Sequence, residues 1–335
     1  MPNKKGDFSP VFKYIFALIA GVMFLSFFVG FAINHKNQQS TIDTGRIVFG
    51  FDDLMTLFSA STDSSMVYPE QGFPSVVNLK IAQGKISSGT VISRPTTKIV
   101  FTQEELKAKQ FFIWTKRWQM PFTIENFFYL ADGRVPIYIV YDSGSEEIAK
   151  ELTDKYSGFP STFKADKIAV ETMNTNTANA LRAKLKDYAK IKFIVLSKKK
   201  PTLTGFTAAE IRTIKPIEGE EGTNWDYGTI EFKNGKSVYL GRAMLIGAIM
   251  AEDKEAYDYS KEQAIEKLGI MSTLYQKKAE ILERTCPGQY VVIATALKTL
   301  AQQDPAEGEL ESFNEKIKSL EDANNNFESG CPEVF

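Results

Sequence analysis

Histidine is almost absent from this sequence, which has one, His35, among its 335 residues. Because His35 directly follows a long apolar run near the amino terminus, Ser-His-Asp, Cys-His and histidine-based metal chemistry are excluded from the rest of the chain unless a partner supplies residues. The phosphate-binding loop Gly-x-x-x-x-Gly-Lys-[Ser/Thr] and the glycine spacing of a dinucleotide-binding turn are also missing. We therefore identify no catalytic residue, metal ligand or cofactor, and the sequence favours a protein that is not an enzyme.

An excess of charge of one sign is missing as well. The chain has 40 Lys and Arg against 41 Asp and Glu, a formal net charge of −1, and this balance predicts no nucleic-acid partner. The carboxylates are scattered without a privileged pair, so enzymatic carboxylate chemistry is kept only as an alternative. With 43% hydrophobic residues, a chain of this length can bury the core of one large or two ordinary domains.

What the sequence does contain is a run of twenty residues without a charge, Tyr14 to Ile33. Twenty helical residues cover roughly 30 Å, about the hydrocarbon thickness of a bilayer, so the run predicts one transmembrane helix that anchors the protein in the cell membrane. Three lysines precede the run within residues 1–13, and only Lys36 follows closely. The positive-inside bias therefore predicts a cytoplasmic tail over residues 1–13 and places the bulk of the chain outside the cytosol.

A cleaved secretory signal is the alternative to a retained anchor. Gly30-Phe31-Ala32 has the small-x-small pattern that signal peptidase accepts, with cleavage after Ala32. The apolar run is longer than the ~7–15 residues usual in a cleaved signal, which favours retention.

A third reading starts from the basic residues before the apolar run. Lys4-Lys5-Gly6, then Asp7-Phe8-Ser9 and at once the apolar helix, resembles the class III signal and anchor of archaeal type IV pilin-like proteins. In that family a cytoplasmic basic-Gly site is cut, and the apolar helix stays attached to build a filament core. Residues 4–33 carry the resemblance. It implies a cut after Gly6 and a structural or assembly role at the cell surface.

The two cysteines, Cys286 and Cys331, both lie on the side predicted to be outside the cytosol. An even number of cysteines in an exported segment predicts a disulfide, with two free buried thiols as the alternative. No histidine is near either cysteine and their spacing matches no zinc pattern, so a metal site is not expected.

Residues 34–130 are predicted to form a stalk and a β-rich region. The aromatic-dense part is expected to be strand that packs in the core, although an aromatic binding face is the alternative. The predicted elements are a polar stalk over 34–44, strands over 47–51, 76–81, 98–101 and 111–118, and a short helix over 103–109 with Thr102 as its N-cap.

An α/β core is predicted over residues 131–253. Strands over 135–141, 167–171 and 191–196 alternate with helices from Glu146 and from about Thr177. This order predicts a largely parallel layer with right-handed crossovers. Ligands of such layers bind beyond the carboxyl ends of the strands, where the candidate residues are Asp142, Ser143, Thr172 and Lys198. The alternatives are that Asp142 is a turn residue and that Lys198 belongs to a solvated loop.

The last part of the chain is predicted to be an antiparallel hairpin followed by helices. Asn234-Gly235 between alternating strands is a strong hairpin signal, and residues 242–250 are apolar enough to pack inward. The predicted helical region, 254–335, has helices over 260–283, 290–302 and 309–323.

These patterns together predict a membrane-anchored extracytoplasmic protein of mixed α/β fold. We expect a structural, assembly or interaction component of a pilin-like cell-surface system, with protein partners in the envelope. The alternative is a membrane-anchored ligand-binding module that uses the carboxyl ends of the parallel strands. An enzyme that uses carboxylates is the third hypothesis.

Overall fold

Helix α1 (Pro10–Ser59) runs for 50 residues and is the first element of the chain. The computed structural model describes residues 10–59, 61, 63–93, 98–154, 159, 163, 165–169, 183, 191–196, 211–219, 222–326 and 331–335. The later helices are α2 (Glu146–Thr153), α3 (Gly241–Met250), α4 (Lys254–Leu282), α5 (Val291–Leu300) and α6 (Leu310–Asn325), with a 3₁₀ turn at Glu307–Glu309.

The strands form three sheets. They are β1 (Ser65–Tyr68), β2 (Val77–Ala82), β3 (Lys85–Ser88), β4 (Val91–Ser93), β5 (Val100–Thr102), β6 (Glu105–Ala108), β7 (Phe111–Gln119), β8 (Thr123–Ala131), β9 (Ile137–Tyr141), β10 (Ala165–Ala169), β11 (Lys192–Leu196), β12 (Ile211–Gly219), β13 (Gly222–Phe232) and β14 (Gly235–Leu240). Their orders are β1-β7-β8-β5, β4-β3-β2-β6 and β10-β9-β11-β12-β13-β14. The fold is therefore mixed α/β, and the predicted divisions of the chain at residues 34, 131 and 254 stay predictions.

The predicted membrane-spanning helix over Tyr14–Ile33 is wrong. Of the helices formed by the described residues, none is both long enough and apolar enough to cross a membrane.

Two local predictions in the β-rich region are also wrong. Residues 47–51 were expected to be strand, but they continue α1 because Val48, Phe51 and Met55 recur at helical spacing and are all fully buried. A helix is predicted over residues 103–109, but the middle of this segment is strand β6 (Glu105–Ala108), which pairs with β2. The aromatic-dense segment is strand packed in the core, as predicted.

The predicted parallel layer is confirmed in the described residues. Strand β9 pairs in parallel with β10 on one side and with β11 on the other, and helix α2 makes the first crossover. The second predicted crossover helix, from about Thr177, lies outside the described residues. Strand β12 extends the layer in parallel, and the β13–β14 hairpin continues it in antiparallel pairing.

Helix α3 is the centre of the core. Its residues from Ala243 to Met250 are all buried. This part of the helix has no side that faces solvent, and its residues are therefore apolar on every face. It contacts β5, β7 and β8 of the first sheet and β13 and β14 of the third. The indole of Trp118 and the hydroxyl of Tyr129 each donate a hydrogen bond of 2.7 Å to carbonyl oxygens near its start. The first and third sheets thus share one hydrophobic core.

Candidate functional site

Among the described residues, the most unusual surface is the stretch of α1 from Leu18 to Gly30, which we call the apolar arm. It contains no charged residue, and its large apolar side chains are between 47% and 68% exposed. Thirteen residues make more than three helical turns, so these side chains point in all directions around the helix axis. The described exposed residues of the arm are Leu18, Ile19, Val22, Met23, Phe24, Leu25, Phe27, Phe28 and Val29. Contiguous exposed apolar surface of this kind marks a site of contact with a partner in soluble proteins.

The arm has no polar group that needs a hydrogen-bond partner from another molecule. Its one polar side chain is Ser26, whose hydroxyl lies 2.7 Å from the carbonyl oxygen of Val22 in the preceding turn. Its other groups are apolar side chains and a helical backbone that satisfies its own hydrogen bonds. The arm can therefore be buried against other apolar surfaces without leaving a polar group unpaired.

The end of α1 is fixed to the sheets, and we call this part, Val48 to Ser59, the root. Val48, Phe51 and Met55 are fully buried in a cluster with residues of β2, β6, β7 and β8. The side-chain amide nitrogen Nδ2 of Asn126, on β8, donates a hydrogen bond of 2.9 Å to the carbonyl oxygen of Ser59, one of the carbonyls that a helix end leaves without a donor. The arm and the root thus belong to one continuous helix.

The predicted ligand crevice lies at the carboxyl ends of β9 and β11, where the strand order changes direction. Asp142 follows β9, and its carboxylate accepts hydrogen bonds from the Gly144 amide at 3.1 Å and from the Ser145 hydroxyl at 2.9 Å. The hydroxyl of Ser145 also lies against the carbonyl oxygen of Leu196, the last residue of β11. The turn after β9 therefore ties the two strand ends together, which is the turn role considered for Asp142.

The remaining crevice candidates do not complete a site. Ser143 is exposed on the same turn, while Thr172 and Lys198 lie outside the described residues. Next to the turn, Glu146 and Lys150 form an ion pair of 2.6 Å along α2. The hydrogen bond between them lowers the pKa of Glu146 and raises the pKa of Lys150, because it favours both charged forms. The ligand site at this edge stays a prediction.

A second concave feature lies between the β2–β3 turn and the start of α4. This groove has a volume of about 380 Å³ and is lined by several carboxylates, including Glu104 and Asp253. Both have structural partners, because Glu104 pairs with Lys80 at 2.9 Å and Asp253 accepts a hydrogen bond from the Ala256 amide as the N-cap of α4. No set of three or more metal-ligating side chains occurs among the described residues.

The carboxyl-terminal helices are fastened by the predicted disulfide, which is confirmed. The Cα atoms of Cys286 and Cys331 are 6.1 Å apart and their sulfurs are 2.10 Å apart. The bridge joins the turn after α4 to the last residues of the chain, where Val334 is fully buried.

The root is the structural feature that the sequence did not lead us to predict. Its signal is present in the sequence, because Val48, Phe51, Met55 and Phe58 follow each other at intervals of three or four residues. No protein-family model, no curated protein and no solved structure matches this chain, so its function has to be argued from the arm, the root and the chemistry around them.

Proposed function

We propose that this protein is a structural component of an assembly outside the cytosol, in which the apolar arms of several copies pack side by side. The observation that carries the proposal is the change of character within one unbroken helix. The arm is apolar and exposed, whereas one face of the root, with Val48, Phe51 and Met55, is buried in the β-rich part of the molecule. A helix that is apolar on every face is stable in water only when other elements cover it.

The distribution of the arm's side chains favours a bundle of more than two helices. A two-helix contact needs one apolar stripe and leaves the opposite face polar. In the arm, Leu18 and Phe28 are more than 60% exposed, and so are the intervening Met23, Phe24, Leu25 and Phe27. Covering consecutive residues of a helix requires neighbours on several sides, as in the core of a filament.

Two further observations agree with this role. The Lys4-Lys5-Gly6 sequence before the helix resembles a pilin-type processing site, and cleavage there would leave the whole arm attached. The disulfide between Cys286 and Cys331 supports a location outside the reducing cytosol, since disulfides persist mainly in oxidising compartments.

The test compares charged substitutions at two exposed phenylalanines of the same helix. Phe24 is in the arm and Phe49 is in the root, and they are 66% and 56% exposed. The full-length protein is purified in mild detergent, transferred to detergent-free buffer, and followed by sedimentation velocity and electron microscopy. We expect ordered assemblies for the wild type and for Phe49→Asp, and dispersed particles for Phe24→Asp.

Two results would contradict the proposal. One is a wild-type chain that stays monomeric without detergent, and the other is equal loss of assembly in both variants. N-terminal mass spectrometry of the protein from its native cells is an independent check. A chain that starts at Asp7 supports the proposal, whereas one that starts after Ala32 lacks the arm and defeats it.

A further inference from the structure

The outer face of α4 carries an apolar stripe that the described part of the fold leaves uncovered. Ile270, Leu274 and Ile281 are 56%, 57% and 62% exposed. Their spacing of four and seven residues places them within about 40° of one another around the helix. The opposite face is the buried one, with Leu268 and Ala279 fully inaccessible. The stripe is therefore a surface feature of a helix that is already anchored in the core.

Charged residues of opposite sign flank this stripe. Glu266 lies one turn before Ile270, and Lys277 lies one turn after Leu274, and both are exposed. The Ile270–Leu274 pair and the Glu266–Lys277 pair have the same midpoint, Ser272, to within half a residue. Ile270, Leu274 and the two flanking charges thus form a segment that is complementary to itself when it is reversed about that point, whereas Ile281 lies beyond this symmetric part.

This symmetry indicates that the partner is a second copy of α4 and that the two helices pack antiparallel. If two copies of α4 pack antiparallel through this exposed face, with the two-fold axis at the level of Ser272 along the helix, Ile270 of each copy faces Leu274 of the other, and Glu266 faces Lys277. Parallel packing would instead set Glu266 against Glu266 and Lys277 against Lys277, which like-charge repulsion disfavours. We propose that the stripe is a two-fold contact between a pair of copies of this chain.

The inference rests on the proposed function, because the stripe is too small to hold two copies together alone. Three apolar side chains per copy fall well short of the roughly 800 Å² per partner of a standard interface. Packing of the arms would raise the effective concentration of the α4 stripes of neighbouring copies. The contact between two stripes can then form even though its own affinity is weak.

Zero-length carbodiimide cross-linking of the full-length assembly tests the contact. Within one helix, Glu266 and Lys277 are eleven residues apart, about 16 Å along the axis, so a bond between them has to join two copies. We expect a Glu266–Lys277 cross-link in mass spectra, and we expect it in the mixed-isotope form when labelled and unlabelled copies assemble together.

Charge exchange makes the test specific. Glu266→Lys and Lys277→Glu each place like charges across the two-fold axis, so neither variant alone should give a cross-link between these positions. A mixture of the two variants restores opposite charges at both ends and should restore the cross-link between unlike copies. Glu262→Lys is the matched control, because Glu262 is exposed on the same helix but lies about 80° away from Ile270 around its axis.

The outcomes separate this inference from the proposed function. Wild-type assemblies without the 266–277 cross-link, or a mixture that fails to restore it, would overturn the two-fold contact and leave arm packing intact. A chain that does not assemble through its arm but gives the cross-link at high concentration would overturn the proposed function and leave the contact standing. Loss of the cross-link in Phe24→Asp, with the charge-exchange result positive, supports both.

Discussion

Lys192 and Arg212 share a hydrogen-bond acceptor, the carbonyl oxygen of Ile249 at the end of α3, at 3.4 and 3.1 Å. The two residues lie on the neighbouring parallel strands β11 and β12, and both are buried. Lys192 also donates to the carbonyl oxygens of Met250 and Ala251 at 3.0 and 2.9 Å. The last carbonyls of a helix lack donors and carry partial negative charge, so these two cations close the end of the most buried helix in the fold.

Removing one of these cations should destabilise the protein. Burial lowers the pKa of Arg212 to about 10, so its guanidinium is still charged at neutral pH. Arg212→Met keeps much of the volume but leaves buried carbonyls without a donor, and we expect the free energy of unfolding to fall by about 2–4 kcal/mol. Urea denaturation at pH 7 measures the change.

The control for this prediction is Arg117→Met, on the exposed side of β7. Surface substitutions of this kind usually change stability by no more than about 0.5 kcal/mol. Equal effects of the Arg212 and Arg117 substitutions would show that capping of α3 contributes nothing measurable.

The root of α1 provides a second prediction. The ring of Phe51 is fully buried, and its centroid lies 5.3 Å from that of Tyr68 and 5.4 Å from that of Phe111. Phe51→Ala should lower the free energy of unfolding by about 3–5 kcal/mol because it opens a cavity. Phe49→Ala, two residues away on the exposed face, should change it by no more than about 0.5 kcal/mol. Denaturation of both variants checks this, and similar losses would mean that the root is not packed on the sheets.

The disulfide gives a third prediction. The bridge closes a loop with a sequence separation of 45 residues, which corresponds to about 4 kcal/mol in the chain-entropy model. In the double variant Cys286→Ser, Cys331→Ser, the free energy of unfolding should be lower by up to that amount. A reducing agent should lower the denaturation midpoint of the wild type to about that of the double variant, and it should leave the midpoint of the double variant unchanged. A wild type that is indifferent to reductant would contradict the assignment.

Much of the parallel layer and the hairpin could be predicted because their signals are local. The run over 135–141 is β-branched and apolar, and it ends in a turn sequence that begins a helix. The β13–β14 hairpin was also predicted, although Phe232 pairs with Gly235, so the turn is centred one residue earlier than Asn234-Gly235 implies. The last four residues of β14 are all buried, on both faces of the strand, so the apolar run marks a strand wherever the turn is centred.

The wrong predictions concern segments whose secondary structure is determined by tertiary contacts. The segment over 103–109 has a capping-box sequence, yet Leu106 pairs with Leu79 and both are fully buried, so strand pairing with β2 overrides helix propensity. The segment 47–51 has strand-like composition, but the helix that precedes it continues because its next turns also bury apolar residues. The candidate crevice depends on the contact between Ser145 and Leu196, a pairing 51 residues apart that no local pattern reveals.

The fourth prediction concerns alkaline pH. Burial raises the pKa of five tyrosines, most strongly that of Tyr129, Tyr227, Tyr239 and Tyr257 and less strongly that of Tyr290, since the phenolate form is poorly solvated in the core. In the unfolded chain these groups release their protons near pH 10, whereas the folded protein retains them. The unfolded state then binds fewer protons, so stability should fall above about pH 10, by about 1.4 kcal/mol per pH unit for each tyrosine.

Arg212 acts in the opposite direction over this range. Its folded pKa is lowered, so above about pH 10 the folded protein releases that proton before the unfolded chain does, and stability rises with pH by one group. Because the tyrosines with a raised pKa outnumber this one arginine, the net slope of stability against pH remains negative. Denaturation midpoints measured between pH 8 and pH 11, with tyrosinate absorbance recorded alongside, should show proton release coinciding with unfolding.

Two phenylalanine substitutions separate this titration effect from the loss of a hydrogen bond. Within the described structure the buried hydroxyl of Tyr239 has no hydrogen-bond partner, whereas the hydroxyl of Tyr257 donates to the carbonyl oxygen of Val238 at 2.7 Å. At pH 7, Tyr239→Phe should therefore be nearly neutral, and Tyr257→Phe should cost about 1–2 kcal/mol because it leaves a buried acceptor unpaired. Above pH 10 both variants should lose stability less steeply than the wild type, by one tyrosine each. If the stability of the Tyr239→Phe variant falls as steeply above pH 10 as that of the wild type, then Tyr239 does not retain its proton in the folded protein as its burial indicates.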